Sequence, residues 1–234
     1  MPFKSYLPEK FSYTHENEIF REISNKLLQK YNESKSLVVF IGNVSCNGHH
    51  LDAIFIKSGQ ITIIDFKNYG GTLSFSEQNP WSLVKSFNKN GRIEKNTIIV
   101  AGGSNIRNPY MQVFAYKNSL DELLRDKIDE IVEPNHSNLN LRHITALVLF
   151  HQKIVFDNST LPEKIQKFLR ITDKYNCYDV FDDIHSDKLT LSDNEIRNIV
   201  AVLSLTDENL YDYTKIETEE AETPKTLLRK SLID

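Results

Sequence analysis

A chain of 234 residues with 40% hydrophobic and 10% aromatic side chains can hold one large domain, or one domain and a small appendage. Its 28 Lys and Arg against 32 Asp and Glu give a formal charge of −4, which excludes a globally basic surface; contact with a polyanion must come from local patches. The two cysteines, Cys46 and Cys177, lie far apart and outside any CxxC, which excludes a disulfide framework and fits a reducing compartment. Residues 1–6 carry no apolar leader and no run reaches 18 apolar residues, so the expectation is a cytoplasmic protein that does not engage a membrane.

Residues 1–14 read as an irregular lead-in. Ile19, Phe20, Ile23, Leu27, Leu28 and Tyr31 then recur at helical spacing and predict an amphipathic helix over 15–31, with Thr14 as its N-cap. Glu16 borders the apolar stripe, whereas Glu18 shares the wet face with Arg21, Glu22 and Asn25. Glu16 is therefore the better functional candidate, the plainer alternative being a carboxylate placed to favour the helix dipole. A short apolar strand follows at 37–41.

Two strands joined at Lys57-Ser58-Gly59-Gln60 form the stretch around which the chain is organised. Pairing residue 57 with 60 puts Asp52 opposite Asp65; a three-residue loop would make them diagonal neighbours. Asp65 and Lys67 share a face, and Asp52 joins them among Ile54, Ile56, Ile61 and Ile63. Like charges facing each other on a sheet are destabilising, and a divalent metal with oxygen ligands, aided by Lys67, compensates. The opposite face, with Leu51, Ala53, Phe55, Ile64 and Phe66, is apolar too. Strands apolar on both sides predict helices on both faces of the sheet, an α/β or α+β domain rather than a sandwich.

Gly70-Gly71 marks a sharp turn, strands are expected at 72–75 and 81–87, and Asn90-Gly91 signals a hairpin. After a loop at 101–108, Pro109 opens a helix running to residue 126, on which Gln112 and Tyr116 face the same way. Residues 133–141 read as polar loop. The remaining expectations are a strand at 144–150 paired with 153–156, a helix at 161–169, a short strand at 178–182 and a capped helix at 192–203. The organisation is then a lead-in (1–14), a core (15–126), an extension of the same domain (127–205) and an acidic tail or linker (206–234) that suggests continuation into something larger.

A helix carboxylate, an Asp on one strand and a D-x-K on the next can hold one or two Mg²⁺ ions. The ligands would be Asp52, Asp65, Glu16 and the backbone carbonyl of Phe66, and Mn²⁺ would substitute. Lys67 would orient or deprotonate an attacking water and offset transition-state charge, with Gln112 and Tyr116 steadying Lys67 or the scissile phosphate. Asp52 followed by Asp65-Phe66-Lys67 resembles the PD-(D/E)XK nuclease core. The run Ile63-Ile64-Asp65-Phe66-Lys67-Asn68-Tyr69-Gly70-Gly71 is similar to the NERD (nuclease-related domain) family, with Glu16, Trp81 and Asn108-Pro109-Tyr110-Met111-Gln112 as further landmarks. Gln112 through Tyr116 also resembles the Q-x-x-x-Y element of RecB-type nucleases. The resemblance covers residues 15–125, with Leu51 where the motif has Pro and Asp65 where Glu is frequent. It implies a restriction-endonuclease-like α/β fold, a central mixed sheet flanked by helices, and Mg²⁺-dependent deoxyribonuclease activity. It further implies DNA as partner and a helicase, fused or separate, in DNA processing or antiviral defence. The competing reading is a nuclease-fold module that no longer cuts and serves to dock nucleic acid or protein. RNA presents the same phosphates as DNA.

Other residues carry weaker signals. Cys46, His49 and His50 fit no structural zinc spacing, although His50 is a candidate to line a cleft beside Asp52. Trp81 reads as core. Lys85, Lys89, Arg92, Lys95 and Arg107 are read either as phosphate contacts or as a solvated face.

Overall fold

Runs of Val, Ile, Leu and Phe with no polar side to turn to water build the centre of the molecule. The computed structural model describes residues 2–89, 92–103, 106–136 and 139–213. In chain order β1 (Phe3–Tyr6) and α1 (Thr14–Tyr31) precede three long strands, β2 (Val38–Cys46), β3 (His49–Lys57) and β4 (Gln60–Lys67). An excursion follows, made of β5 (Gly71–Ser74), β6 (Trp81–Lys89) and β7 (Arg92–Val100). The chain returns through α2 (Pro109–Asp126) and α3 (Ile128–Ile131) to β8 (Ile144–Phe150). The remainder is β9 (Ile154–Val155), α4 (Glu163–Gln166), β10 (Leu169–Asp173), α5 (Cys177–Asp183) and α6 (Asp193–Val202).

Six strands form the central sheet in the order β1-β2-β3-β4-β8-β10. It is mixed: β2, β3 and β4 are antiparallel, whereas β4, β8 and β10 run parallel, as do β1 and β2. On one face α2 and α6 pack against Ile54, Ile56, Ile61 and Ile63; on the other, α1 and α5 pack against Phe55, Ile64 and Phe66. The expected mixed sheet flanked by helices is therefore present. A second sheet, β7-β6-β5-β9, leans on the first through Leu73, Trp81, Leu83 and Val148. Trp81 is fully buried, as expected, and its Nε1 donates to the Ser76 carbonyl at 2.8 Å. Among the described residues no helix is long and apolar enough to cross a membrane.

Several elements differ from expectation for local physical reasons. The lead-in contains a strand, β1, because Phe3 and Tyr6 bury beside β2. Thr14 is the first helical residue rather than the cap; the Asn17 side chain ties the helix start to the Phe11 and Tyr13 carbonyls instead. β2 continues past residue 41 to Cys46 because Asn47 and Gly48, at φ 44° and 79°, make a tight hairpin turn into β3. β9 pairs with β5 rather than β8, both edges of which are taken by β4 and β10. The helix expected at 161–169 shrinks to α4, since Leu169, Ile171 and Thr172 are drawn into β10. Residues 178–182 are helical, not a strand: Cys177 and Phe181, four apart, both face the core. The segment after 205, expected as a tail, stays packed as far as Tyr213, with Leu210 bridging Tyr6 and Tyr211 edge-on to Phe20. Residues 214–234 and the Asn90-Gly91 turn lie outside the described residues.

Candidate active site

The central hairpin has the register that the four-residue turn demands, from Lys57↔Gln60 to Ala53↔Ile64. There the ladder stops. One step further, Asp52 on β3 and Asp65 on β4 stand side by side without a backbone rung between them. The cause lies on the neighbouring strand. Asn43 adopts φ 46° in the middle of β2, a conformation that Asn tolerates better than most residues. The β2–β3 ladder accordingly skips Asn43 and Asp52 between Gly42↔Ala53 and Val44↔Leu51.

Across this skip the in-out alternation inverts. Val39, Ile41, Ile54 and Ile56 on one side, and Val44, Cys46 and Leu51 on the other, all pack in the same cluster beneath α2. Asp52 sits at the inversion, half-buried, and its Oδ2 accepts the Phe66 backbone N–H at 2.7 Å in place of a ladder carbonyl. The Asn43 side chain anchors the bend by donating to the Glu9 and Lys10 carbonyls.

Asp65 is completely buried. Its Oδ1 accepts from Lys67 Nζ at 2.8 Å, while its Oδ2 has no hydrogen-bond donor. The Asp52 carboxyl is close enough to share a proton with it. Burial, then the charge of Asp65, pushes the Asp52 pKa up to about 8. Burial raises Asp65 as well, against the pull of Lys67. For Lys67 burial lowers the pKa, but the Asp65 and Asp52 carboxylates outweigh it and hold the ammonium charged. Two carboxyls with one lysine between them thus carry more negative charge than the pocket can balance, unless a proton or a cation enters.

Gln112 completes the set from above. It is 4% exposed, and its Oε1 accepts from Lys67 Nζ at 3.1 Å and from the Gly103 backbone N–H at 2.9 Å. Its Nε2 donates to the Tyr116 hydroxyl at 2.7 Å, one helical turn on. The start of α2 is placed by Asn108, whose carbonyl oxygen caps Met111 N–H while its amide donates to the Ser76, Glu77 and Asn79 carbonyls.

Glu16 arrives from the opposite face, in the first turn of α1. It is half-buried and its pKa is raised by burial, opposed by the charges of His15 and Lys67. Its charge is felt by Asp52 and Tyr116 in turn. Glu18 is exposed and acts on His151 instead. The structure thus brings Asp52, Asp65, Lys67, Gln112 and Tyr116 together, with Glu16 at the edge of the group. His50 is not there: it is exposed and bonds Ser45 at 3.2 Å, and the imidazole that reaches the site is His49, edge-on to the Tyr116 ring. Sequence reading missed Asn43 and Gly103, whose contributions are a backbone angle and a backbone N–H that no side-chain pattern announces.

The sequence model of the nuclease-related domain (NERD) family matches residues 13–151. The chain belongs to the NERD family. Comparison with curated proteins and with solved structures gave no match. The matched span runs from the start of α1 through β8 and contains all six residues gathered or bordering the site. Membership of this family points to a nuclease-related function and implies contact with nucleic acid, and the mixed sheet flanked by helices agrees with a PD-(D/E)XK core.

The donor set of this NERD domain fits a hard divalent cation. The oxygen of Asp65 left without a donor and the adjacent Asp52 carboxyl are oxygen donors, and the Phe66 backbone lies beside them past the last β3–β4 rung. Among the described residues no three His, Cys, Asp or Glu side chains form a closed cage. Mg²⁺ does not need one, since it takes one or two carboxylates and keeps its remaining positions for water and phosphate.

Proposed function

We propose that this NERD domain is a metal-dependent nuclease that hydrolyses DNA phosphodiester bonds at Asp52, Asp65 and Lys67. The observation that carries the reading is Asp65: a carboxylate sealed from solvent, with one oxygen held by Lys67, the other left without a donor, and a second acid beside it. Burial of that kind costs several kcal/mol and has no structural return, because two apolar side chains would fill the space more cheaply.

Mg²⁺ held by Asp52, Asp65 and the Phe66 carbonyl, with Glu16 as an outer carboxylate, would supply Lewis acidity to the phosphate and the attacking water. The chain supplies the rest. The charged Lys67 stabilises negative charge developing on the phosphoryl oxygens; held protonated by its two carboxylates, it is poorly suited to take a proton from water. Gln112 fixes the direction of the Lys67 ammonium, and Tyr116, its hydroxyl kept neutral by burial, fixes Gln112.

The test is cleavage of plasmid and single-stranded DNA in Mg²⁺, Mn²⁺ or EDTA, with wild type beside Lys67→Ala. Metal-dependent cleavage that falls by roughly 10²–10³ in the variant is expected, the range seen for loss of a single charge-stabilising donor. Thermal melting shows how much of any loss is unfolding, since removing Lys67 strands Asp65 and costs about 3 kcal/mol. Absence of cleavage in the wild type with every metal would overturn the reading in favour of a docking module.

A further inference from the structure

Lys67 and Gln112 touch, yet the chain between them makes a long excursion, and its outer part leaves the body of the protein. β6 starts and β7 ends in the core, where Trp81, Leu83 and Val100 are buried. From the Lys85↔Asn96 rung to Lys89↔Arg92, every described side chain on both strands is exposed. At about 3.4 Å per residue, these five rungs reach roughly 14 Å beyond the packed base. A two-stranded ribbon with neither face covered is marginal in water. This one also holds Ile93 at 76% exposure and Phe87 at 44%.

The charge on the ribbon runs against that of the chain. Lys85, Lys89, Arg92 and Lys95 stand on it with Glu94 as the single acid of the two strands, in a protein of net charge −4. Its root is tied to the candidate site on both sides. Lys85 Nζ donates to Gln152 Oε1 at 3.2 Å, and Gln152 in turn donates to the carbonyls of Tyr69 and Asn68, which follow Lys67. On the other side, β7 leads into the loop whose Gly103 N–H is held by Gln112.

Resting on the nuclease reading, we propose that the β6–β7 ribbon is the arm that grips double-stranded DNA, lying in a groove with its cations on the flanking phosphates. A two-stranded ribbon fits the major groove, about 12 Å wide. A single strand would call for a row of aromatic platforms; Phe87 is the one exposed aromatic side chain on these strands. With the root fixed beside Lys67, a duplex held this way has its backbone led toward Asp65.

The test is binding measured in EDTA, where cleavage does not enter, by fluorescence anisotropy with a labelled duplex and the corresponding single strand. The wild type is compared with the combined variant Lys85→Gln, Lys89→Gln, Arg92→Gln and Lys95→Gln. Expected are preference for the duplex, a loss of about 30-fold or more in the variant at low salt, and a slope of log affinity against log salt shallower by about 3. Lys95→Glu alone, at an exposed edge position, weakens binding in the same direction and covers misfolding of the combined variant. Lys117→Gln with Arg142→Gln, on α2 and in the turn that precedes β8, leaves binding unchanged. Unaltered affinity or salt slope in the ribbon variants overturns the proposal, as does equal binding of the single strand. Because the readout is binding, a wild type that binds through the ribbon but never cuts sinks the nuclease reading alone, whereas cutting with unaltered ribbon variants sinks the arm alone.

Discussion

Replacing Asp52 with Asn should stabilise the metal-free protein, and by an amount that grows with pH. The folded state lifts the Asp52 pKa from 3.8 to about 8, first through burial and then through the charge of Asp65. Below pH 3.8 the folded and unfolded chains both hold this proton. Between pH 3.8 and 8 the folded chain holds it and the unfolded chain has lost it, so stability falls as pH rises through that window. Each pH unit in the window costs at most about 1.4 kcal/mol, an upper bound near 4 kcal/mol at pH 7. Asp52 keeps some contact with solvent and shares its proton with Asp65, which brings the working figure to about 2 kcal/mol. Asn keeps the acceptor for Phe66 N–H and offers Asp65 Oδ2 the donor it lacks.

The assay is urea unfolding of both proteins in EDTA at pH 4.5 to 9. The variant's advantage should start near zero, rise through pH 5 to 8 and then level off. Mg²⁺ should close the gap by stabilising the wild type, more at pH 8 than at pH 5. A difference that stays flat with pH, or a variant less stable than wild type at pH 8, would refute the account of a strained carboxyl pair.

Three further substitutions separate the site from the scaffold. Glu16→Ala should raise the Mg²⁺ concentration needed for half-maximal cleavage by roughly 10-fold, whereas Glu18→Ala, on the exposed face, should leave it within about two-fold; equal effects in a metal titration would remove Glu16 from the site. Glu195 is fully buried and accepts from Ser192 N–H at 2.8 Å, Glu133 N–H at 3.2 Å and His136 Nδ1 at 2.8 Å. Glu195→Ala should cost about 2–4 kcal/mol in chemical unfolding and leave cleavage per folded molecule unchanged. A drop in specific activity at full folding would show that the far end of the domain communicates with the site.

Much of the candidate site's geometry is legible in the linear pattern because it depends on local spacing. D-x-K puts Asp65 and Lys67 on one strand face, and four residues on α2 put Gln112 above Tyr116. Asn108-Pro109 marks where that helix begins, and the turn at Gly59 sets the register that brings Asp52 beside Asp65. These relations follow from the 2.0 and 3.6 residue periods and hold wherever the chain packs. Elements whose identity depends on distant partners were misread. β10 is a strand because β8 has a free edge, α5 is a helix because Cys177 and Phe181 find the α1 face, and β1 forms only where β2 is already present. The sequence alone determined the acids, the lysine and their neighbours along the strand. Tertiary structure decided that Asn43 bends the adjacent strand, that Asp52 turns to Phe66, and that Glu16 rather than Glu18 reaches their edge. It also left one oxygen of Asp65 buried without a donor, since burial and the direction of a carboxyl are properties of what surrounds a residue and not of its place in the chain.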